Sequence, residues 1–232
     1  HNNSYFFIFI LFRNNIYNIL SMQNLWLICG WFIILMLIGL FLGYLIKDPM
    51  LSGSGIPQVK GILVSQLKMN WLKVLIGKFI GGVLAIGAGL SLGREGPSIQ
   101  LGATVGQGFS RLLGRLRIEE KYLITSGASA GLAAAFNAPL AGVVFALEEM
   151  HKNFSPLVLT SAMAASLTAD FLSQQFFGSK PIFNFEALPV FPLNYYYYLV
   201  LLGLIIGLLG CFFNYILVKS LDFYKELALP QH

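Results

Sequence analysis

The tightest constraint on this chain is Leu25–Ile46, twenty-two consecutive residues without a charge. As a helix it would extend about 33 Å, enough to cross the roughly 30 Å hydrocarbon layer of a bilayer. In lipid such a segment satisfies its backbone only as a helix or within a closed barrel. Trp71–Leu92, Pro156–Phe177 and Leu199–Val218 are further apolar stretches of helical length. No ten-residue alternation of apolar and polar positions recurs, which argues against a barrel. Charged residues make up 11% of the chain against 56% hydrophobic, and the mean hydropathy is +0.72. An ordinary soluble domain is excluded, and the expected class is an all-α membrane protein.

The formal charge of +5 comes mostly from basic residues between the apolar segments. Positive-inside bias accounts for them, and no nucleic-acid partner is implied. Lys47, Lys60, Lys68 and Lys73 form one basic cluster, and Arg111, Arg115, Arg117 and Lys121 another; both are expected on the cytoplasmic side. Gln58–Leu67 is too short to span and is expected to be re-entrant or interfacial. Tyr122–Phe136 and Leu140–Leu147, split by Asn137-Ala138-Pro139, predict two half-helices that dip in and return, with Pro139 supplying the break. Gly178–Asn194 is expected as an external loop, with Phe183, Phe185 and Tyr195–Tyr198 as an aromatic belt. Gly77, Gly81, Gly82, Gly87 and Gly89 are expected to allow close helix contact. Cys29 and Cys211 lie far apart within apolar segments and are expected to be buried small hydrophobes. Tyr5–Phe12 lacks a basic start and a cleavage site, so no signal peptide is expected, and His1 at the start predicts a fragment or a processed chain.

Gly93-Arg94-Glu95-Gly96-Pro97-Ser98 sets an arginine and a glutamate at the junction of two apolar, glycine-rich segments. Charge at membrane depth is costly and marks a functional site by default. Pro97 suits the first position of a helix and Gly96 a cap that another group approaches closely. The stretch predicts a helix that begins inside the membrane, its unpaired amides and positive dipole end aimed at an anion. Glu95 would occupy that anion site when ionised and leave it when protonated. An Arg94–Glu95 salt bridge is the alternative, although sequence neighbours rarely face each other.

In Gly53-Ser54-Gly55-Ile56-Pro57, the Ser54 hydroxyl and nearby amides fit an anion donor set, with a helix N-cap as the alternative. Glu148-Glu149 fits either a solvated boundary or a proton relay. Glu148 and His151 have the Glu-x-x-His spacing of di-iron helices, but no second set exists, so no metal site is expected. Lys78 fits a counter-charge to a carboxylate, a source of positive potential, or helix packing with its amine snorkelling. Asp170 is expected near the outer interface, with no role.

Together these residues resemble the chloride channel/transporter (ClC) family. Gly53-Ser54-Gly55-Ile56-Pro57 is similar to its first filter motif and Gly93-Arg94-Glu95-Gly96-Pro97 to its second. Gly131-Leu132-Ala133-Ala134-Ala135-Phe136-Asn137-Ala138-Pro139-Leu140-Ala141-Gly142, followed by Glu148-Glu149, resembles the next stretch of bacterial members. The likeness covers residues 24–226, leaving 1–23 as a poorly matched segment or remnant and 227–232 as a tail. It implies the first of two inverted repeats, built from broken and re-entrant helices. It implies Ser54 as a chloride ligand, Glu95 as the external gate and Glu149 as the internal proton-transfer residue. Family channels usually lack an acid at that last position, so the resemblance favours a chloride/proton antiporter. A passive voltage- or proton-gated chloride channel is the alternative, and a non-transporting assembly fragment is a third reading from another class. The resemblance further implies no enzyme activity, no cofactor beyond the transported chloride and protons, a homodimer in the full-length form, and residence in lipid at the bacterial inner membrane. No second-half Gly-x-Phe-x-Pro segment occurs, so the second half of the pore is expected to come from elsewhere.

Overall fold

A computed structural model describes residues 25–90, 92–152, 154–178, 192 and 195–226. Among these every regular element is helical, and they fall into two compact units divided near residue 182. The first unit contains α1 (Leu25–Ile46), α2 (Ile56–Leu63), α3 (Trp71–Gly87), α4 (Glu95–Leu112), α5 (Arg117–Phe136), α6 (Pro139–Phe145) and α7 (Pro156–Phe177). The second holds α8 (Tyr196–Glu226). The segments 1–23 and 227–232, the run Tyr5–Phe12 and most of the expected external loop, including Phe183 and Phe185, lie outside the described residues.

Local chemistry sets most boundaries. α1 gives way at Lys47-Asp48-Pro49, where the Asp48 carbonyl accepts from the amides of Leu51 and Ser52 and its carboxylate from Met50 N (3.0 Å). Asn70 caps α3 by accepting from Lys73 N. α5 ends at Asn137, which takes a left-handed φ of 53°; Ala138 leaves the helical region before Pro139, as proline disfavours helical geometry in the residue before it. α6 runs on into a π-helical turn, Ala146–His151, that carries Glu148 and Glu149. α7 opens on Pro156, where a missing N–H costs nothing.

Among the described residues three helices are long and apolar enough to cross a membrane: Ile28–Ile46, Pro156–Phe177 and Tyr196–Phe223. Their large apolar side chains, such as Phe32, Leu37, Phe171, Leu204 and Phe213, are exposed, as lipid-facing residues are. α3 stops at Gly87, short of Leu92, because Gly89 turns the chain with φ 87°. α2 covers Ile56–Leu63 rather than Gln58–Leu67, and Ser65 at φ 63° closes it. α8 is longer than Leu199–Val218, and Tyr196–Tyr198 form its first turn. Cys29 and Cys211 are exposed on α1 and α8, not buried. Their helices are apolar all round, and a thiol is apolar enough to face lipid.

The core forms where α2, α3, α4, α5 and the turn after α6 meet, around Val59, Val74, Ile99, Ile124 and Met150. α4 and α5 cross at the closest approach in the first unit. A Cβ added to Gly102 would lie 2.0 Å from the Gly127 carbonyl oxygen, and one on Gly127 would lie 2.1 Å from that of Gly102. Gly106 and Gly131 stand likewise against the carbonyls of Leu123 and Ser98, at 2.2 Å. These are paired small-xxx-small contacts. The glycines of α3 behave differently: Gly77 meets Leu51 and Gly81 meets Leu45, but Gly82 and Gly89 have open space beside them. α5 and α7 are joined by hydroxyls, Ser126 to Ser161 (2.9 Å) and Ser129 to Ser166 (2.5 Å). Ser173 donates to the Ala134 carbonyl (3.3 Å).

Candidate functional site

The two loops flagged by sequence meet in the fold. Gly53 (φ 67°) and Gly55 (φ 94°) hold left-handed conformations on either side of Ser54, a geometry that L side chains adopt only at a cost. Gly96, in the first turn of α4, packs on that serine: a Cβ there would lie 2.4 Å from the Ser54 carbonyl oxygen. The helix begins at Glu95, with Arg94 as its N-cap, so Pro97 takes the third position instead of the first and Gly96 is not the cap. The shift is harmless because the third N–H of a helix also lacks an intrahelical partner.

Ser54 and Glu95 line one cavity of about 460 Å³, together with Gly53, Gly93, Gly96 and Pro97. Lys78 and apolar residues of α1 and α3 complete it. The Ser54 hydroxyl oxygen accepts from Ile56 N at 3.4 Å, which leaves its hydrogen free to donate. The Glu95 carboxylate folds over Gly93, where an added Cβ would sit 2.3 Å from Oε2. The wall therefore offers a hydroxyl, the start of α4, and a carboxylate on a short tether. Helix N-termini in low-dielectric surroundings bind anions, so a halide and the carboxylate would compete for the same positive end.

The remaining flagged residues are placed differently. Gly55 is buried behind the loop, and neither it nor Ile56, Pro57 or Arg94 lines the cavity. Arg94 makes no ion pair with Glu95 among the described residues; its guanidinium lies 6.0 Å from the centre of the Phe136 ring. Lys78 is buried and meets no carboxylate there. Its Nζ donates to the carbonyl oxygens of Leu51 (3.1 Å) and Gly53 (2.7 Å). Glu149 is remote from this cavity, its side chain 47% exposed and ion-paired with Lys60 of α2. That ammonium holds the Glu149 carboxyl below the usual carboxylate range, mainly through the hydrogen bond it donates. Glu148 is exposed. Asp170 is buried within the protein and accepts from Gln174 Nε2 (2.7 Å). Among the described residues no three His, Cys, Asp or Glu side chains converge as metal ligands.

Sequence reasoning overlooked Gln58, Gln100 and the Lys60 partnership. A signal was present for Gln100, a large amide inside a membrane-embedded helix, where polar groups are expensive.

Broken helices that bring an exposed serine and a half-buried carboxylate to one cavity fit an integral membrane protein. Comparison with known proteins narrows the class. The sequence profile of the voltage gated chloride channel family matches residues 25–232, and the chain belongs to that family. It is 35% identical over 181 residues to the H(+)/Cl(-) exchange transporter ClcA of Citrobacter koseri, covering 77% of this chain and 38% of that one. It is 38% identical over 180 residues to ClcA of Yersinia pestis, covering 76% and 37%. The chain thus matches less than half the length of these relatives. A solved structure of a slow cyanobacterial Cl-/H+ antiporter superposes with a TM-score of 0.78 at 33% identity, covering 97% of this chain and 56% of that one.

Proposed function

We propose that this chain forms one half of a chloride pathway that exchanges chloride for protons. Ser54 and the start of α4 hold the dehydrated anion, and Glu95 competes with it as the gate. Glu149 passes protons at the inner side. The observation that carries this reading is the shared cavity of Ser54 and Glu95. The exchange transporters among the relatives support it, and none of those named is an enzyme. The second half of the pore comes from further polypeptide, the working form is a homodimer, and the site of action is the bacterial inner membrane.

The test is flux from vesicles holding the whole protein that carries this sequence. A chloride gradient is expected to drive protons uphill. Glu95→Gln is expected to abolish proton movement, and Glu149→Gln to abolish it while chloride still flows. Chloride flux that moves no protons would remove the exchange reading. The passive channel is supported by one observation, the Lys60–Glu149 ion pair, because a carboxylate held by an ammonium is a poorer proton acceptor. Chloride flux without proton movement in both the unaltered protein and Glu149→Gln would favour it.

A further inference from the structure

Residues 49–53, which lead into Ser54, present five successive carbonyl oxygens, and each accepts a hydrogen bond from a side chain of another element. Gln58 Nε2 of α2 donates to Pro49 (3.0 Å) and Ser52 (2.8 Å). Gln100 Nε2 of α4 donates to Met50 (2.7 Å). Lys78 Nζ of α3 donates to Leu51 and Gly53. Such a run would repel an anion if it faced one, since a carbonyl oxygen carries partial negative charge. The same loop must show its amides and the Ser54 hydroxyl to that anion. The glycines on either side of Ser54, both at positive φ, let the peptide planes there reorient more readily than other residues would.

Gln100 is fully buried and does not line the cavity. It lies directly behind Gly55, where an added Cβ would sit 2.3 Å from its Oε1. Its amide nitrogen must face Met50, because a carbonyl accepts only from a donor.

We propose that Gln100, assisted by Gln58, is a positioning residue for the anion site: it binds the acceptors of the filter loop from behind, so that only donors face the cavity. This rests on the chloride reading above and deepens it. Without the Gln100 amide the part-buried Met50 carbonyl loses this donor, and the loop relaxes toward settings in which a carbonyl enters the cavity. An unsatisfied part-buried acceptor of this kind is worth about a tenfold effect or more.

The experiment measures chloride flux and chloride-over-thiocyanate preference in vesicles of the whole protein, for the unaltered form, Gln100→Met and Gln107→Met. Gln107 is an equally buried glutamine two turns along α4, and its amide bonds Glu120 Oε1 (2.8 Å) rather than the loop. Gln100→Met is expected to raise the half-saturating chloride concentration about tenfold and to narrow the preference. Gln107→Met is expected to leave both unmoved. If Gln100→Met does not fold, Gln58→Met is read in its place, with the same shift expected. Unchanged chloride parameters in whichever loop variant is read, or equal changes in Gln107→Met, overturn the proposal while leaving the chloride reading intact. Absence of chloride flux in the unaltered protein overturns both.

Discussion

The α4–α5 crossing allows the sharpest test of the fold, through Gly102→Ala. The added carbon would start 2.0 Å from the Gly127 carbonyl oxygen, and ordinary contact begins at 3.4 Å, so the crossing must widen by about 1.4 Å. Overpacking usually costs 1–3 kcal/mol, with the low values where a flexible side chain yields. Here the obstacle is helix backbone, so the cost is expected near 3 kcal/mol. Alanine recovers about 1 kcal/mol through its better helix propensity. The net loss of about 2 kcal/mol corresponds to roughly a 30-fold fall in the folded ratio. For a chain of this size it lowers the melting temperature by roughly 4–8 °C.

Gly39→Ala is the matched control, because nothing lies within 4 Å of that position in α1. It gains propensity without a clash and is expected to melt unchanged or roughly 2–4 °C higher. Both variants are followed by circular dichroism and tryptophan fluorescence in the same detergent. Opposite shifts support a backbone-limited crossing. A Gly102→Ala protein that melts with the unaltered one would refute the reasoning, since no side chain is present to absorb the added carbon.

Gly96→Ala drives a Cβ into the Ser54 carbonyl, and is expected to cut chloride flux at least tenfold while size-exclusion chromatography still shows a folded protein. Lys60→Met removes the ammonium that depresses the Glu149 carboxyl, so that carboxyl titrates at higher pH. The pH profile of proton-coupled flux is expected to move in the alkaline direction, and an unmoved profile would show that the ion pair does not tune Glu149. The Asp48 carboxyl is held below its ordinary 3.8, chiefly by the hydrogen bond from Lys73 (2.6 Å) and then by Met50 N–H. A depressed folded-state value means that this stability is present above about pH 4 and is lost as pH falls through the lower value. Asp48→Asn is therefore expected to flatten acid unfolding below about pH 4 and to destabilise the protein at pH 7, both read by thermal melts.

Where the sequence was readable, the cause was local. Leu25–Ile46 and Pro156–Phe177 appear with the bounds expected of them, because an uncharged run and a proline start act within their own segment. The break at Asn137-Ala138-Pro139 was visible for the same reason: proline lacks an N–H and pushes its predecessor out of the helical region. Errors arose where a distant partner decides. The glycines of α3 were expected at a close crossing, but the spacing Gly102-x3-Gly106 against Gly127-x3-Gly131 makes the tightest one, and only the partner helix tells the two apart. Lys78 suited a carboxylate partner, a source of positive potential, or helix packing with its amine snorkelling, until the filter loop was folded against it. Glu149 was legible as an acid at a boundary, whereas its tie to Lys60, eighty-nine positions away, was not.

Under the chloride reading proposed above, these long-range contacts bear on how a neutral loop would favour an anion in an apolar setting. A peptide unit carries donor and acceptor in equal number, so a bare loop offers a halide as much repulsion as attraction. Helix starts solve this by directing their carbonyls along the helix, and α2 and α4 do so after Ile56 and Glu95. The stretch before Ser54 has no helix to direct its carbonyls, and three side chains from three helices take over that task. Two are neutral amides, which add no charge to compete with chloride or with Glu95. Lys78, the third, is charged, yet two of its three donors are occupied by the carbonyls of Leu51 and Gly53. It lends positive field to the cavity while the bonds hold it short of a permanent pair with the gate. Lys78→Met is therefore expected to expose two acceptors and remove a charge at once, weakening half-saturation for chloride by more than Gln100→Met does. An equal or smaller effect, measured in the same vesicles, would show that loop polarity is set by the amides alone.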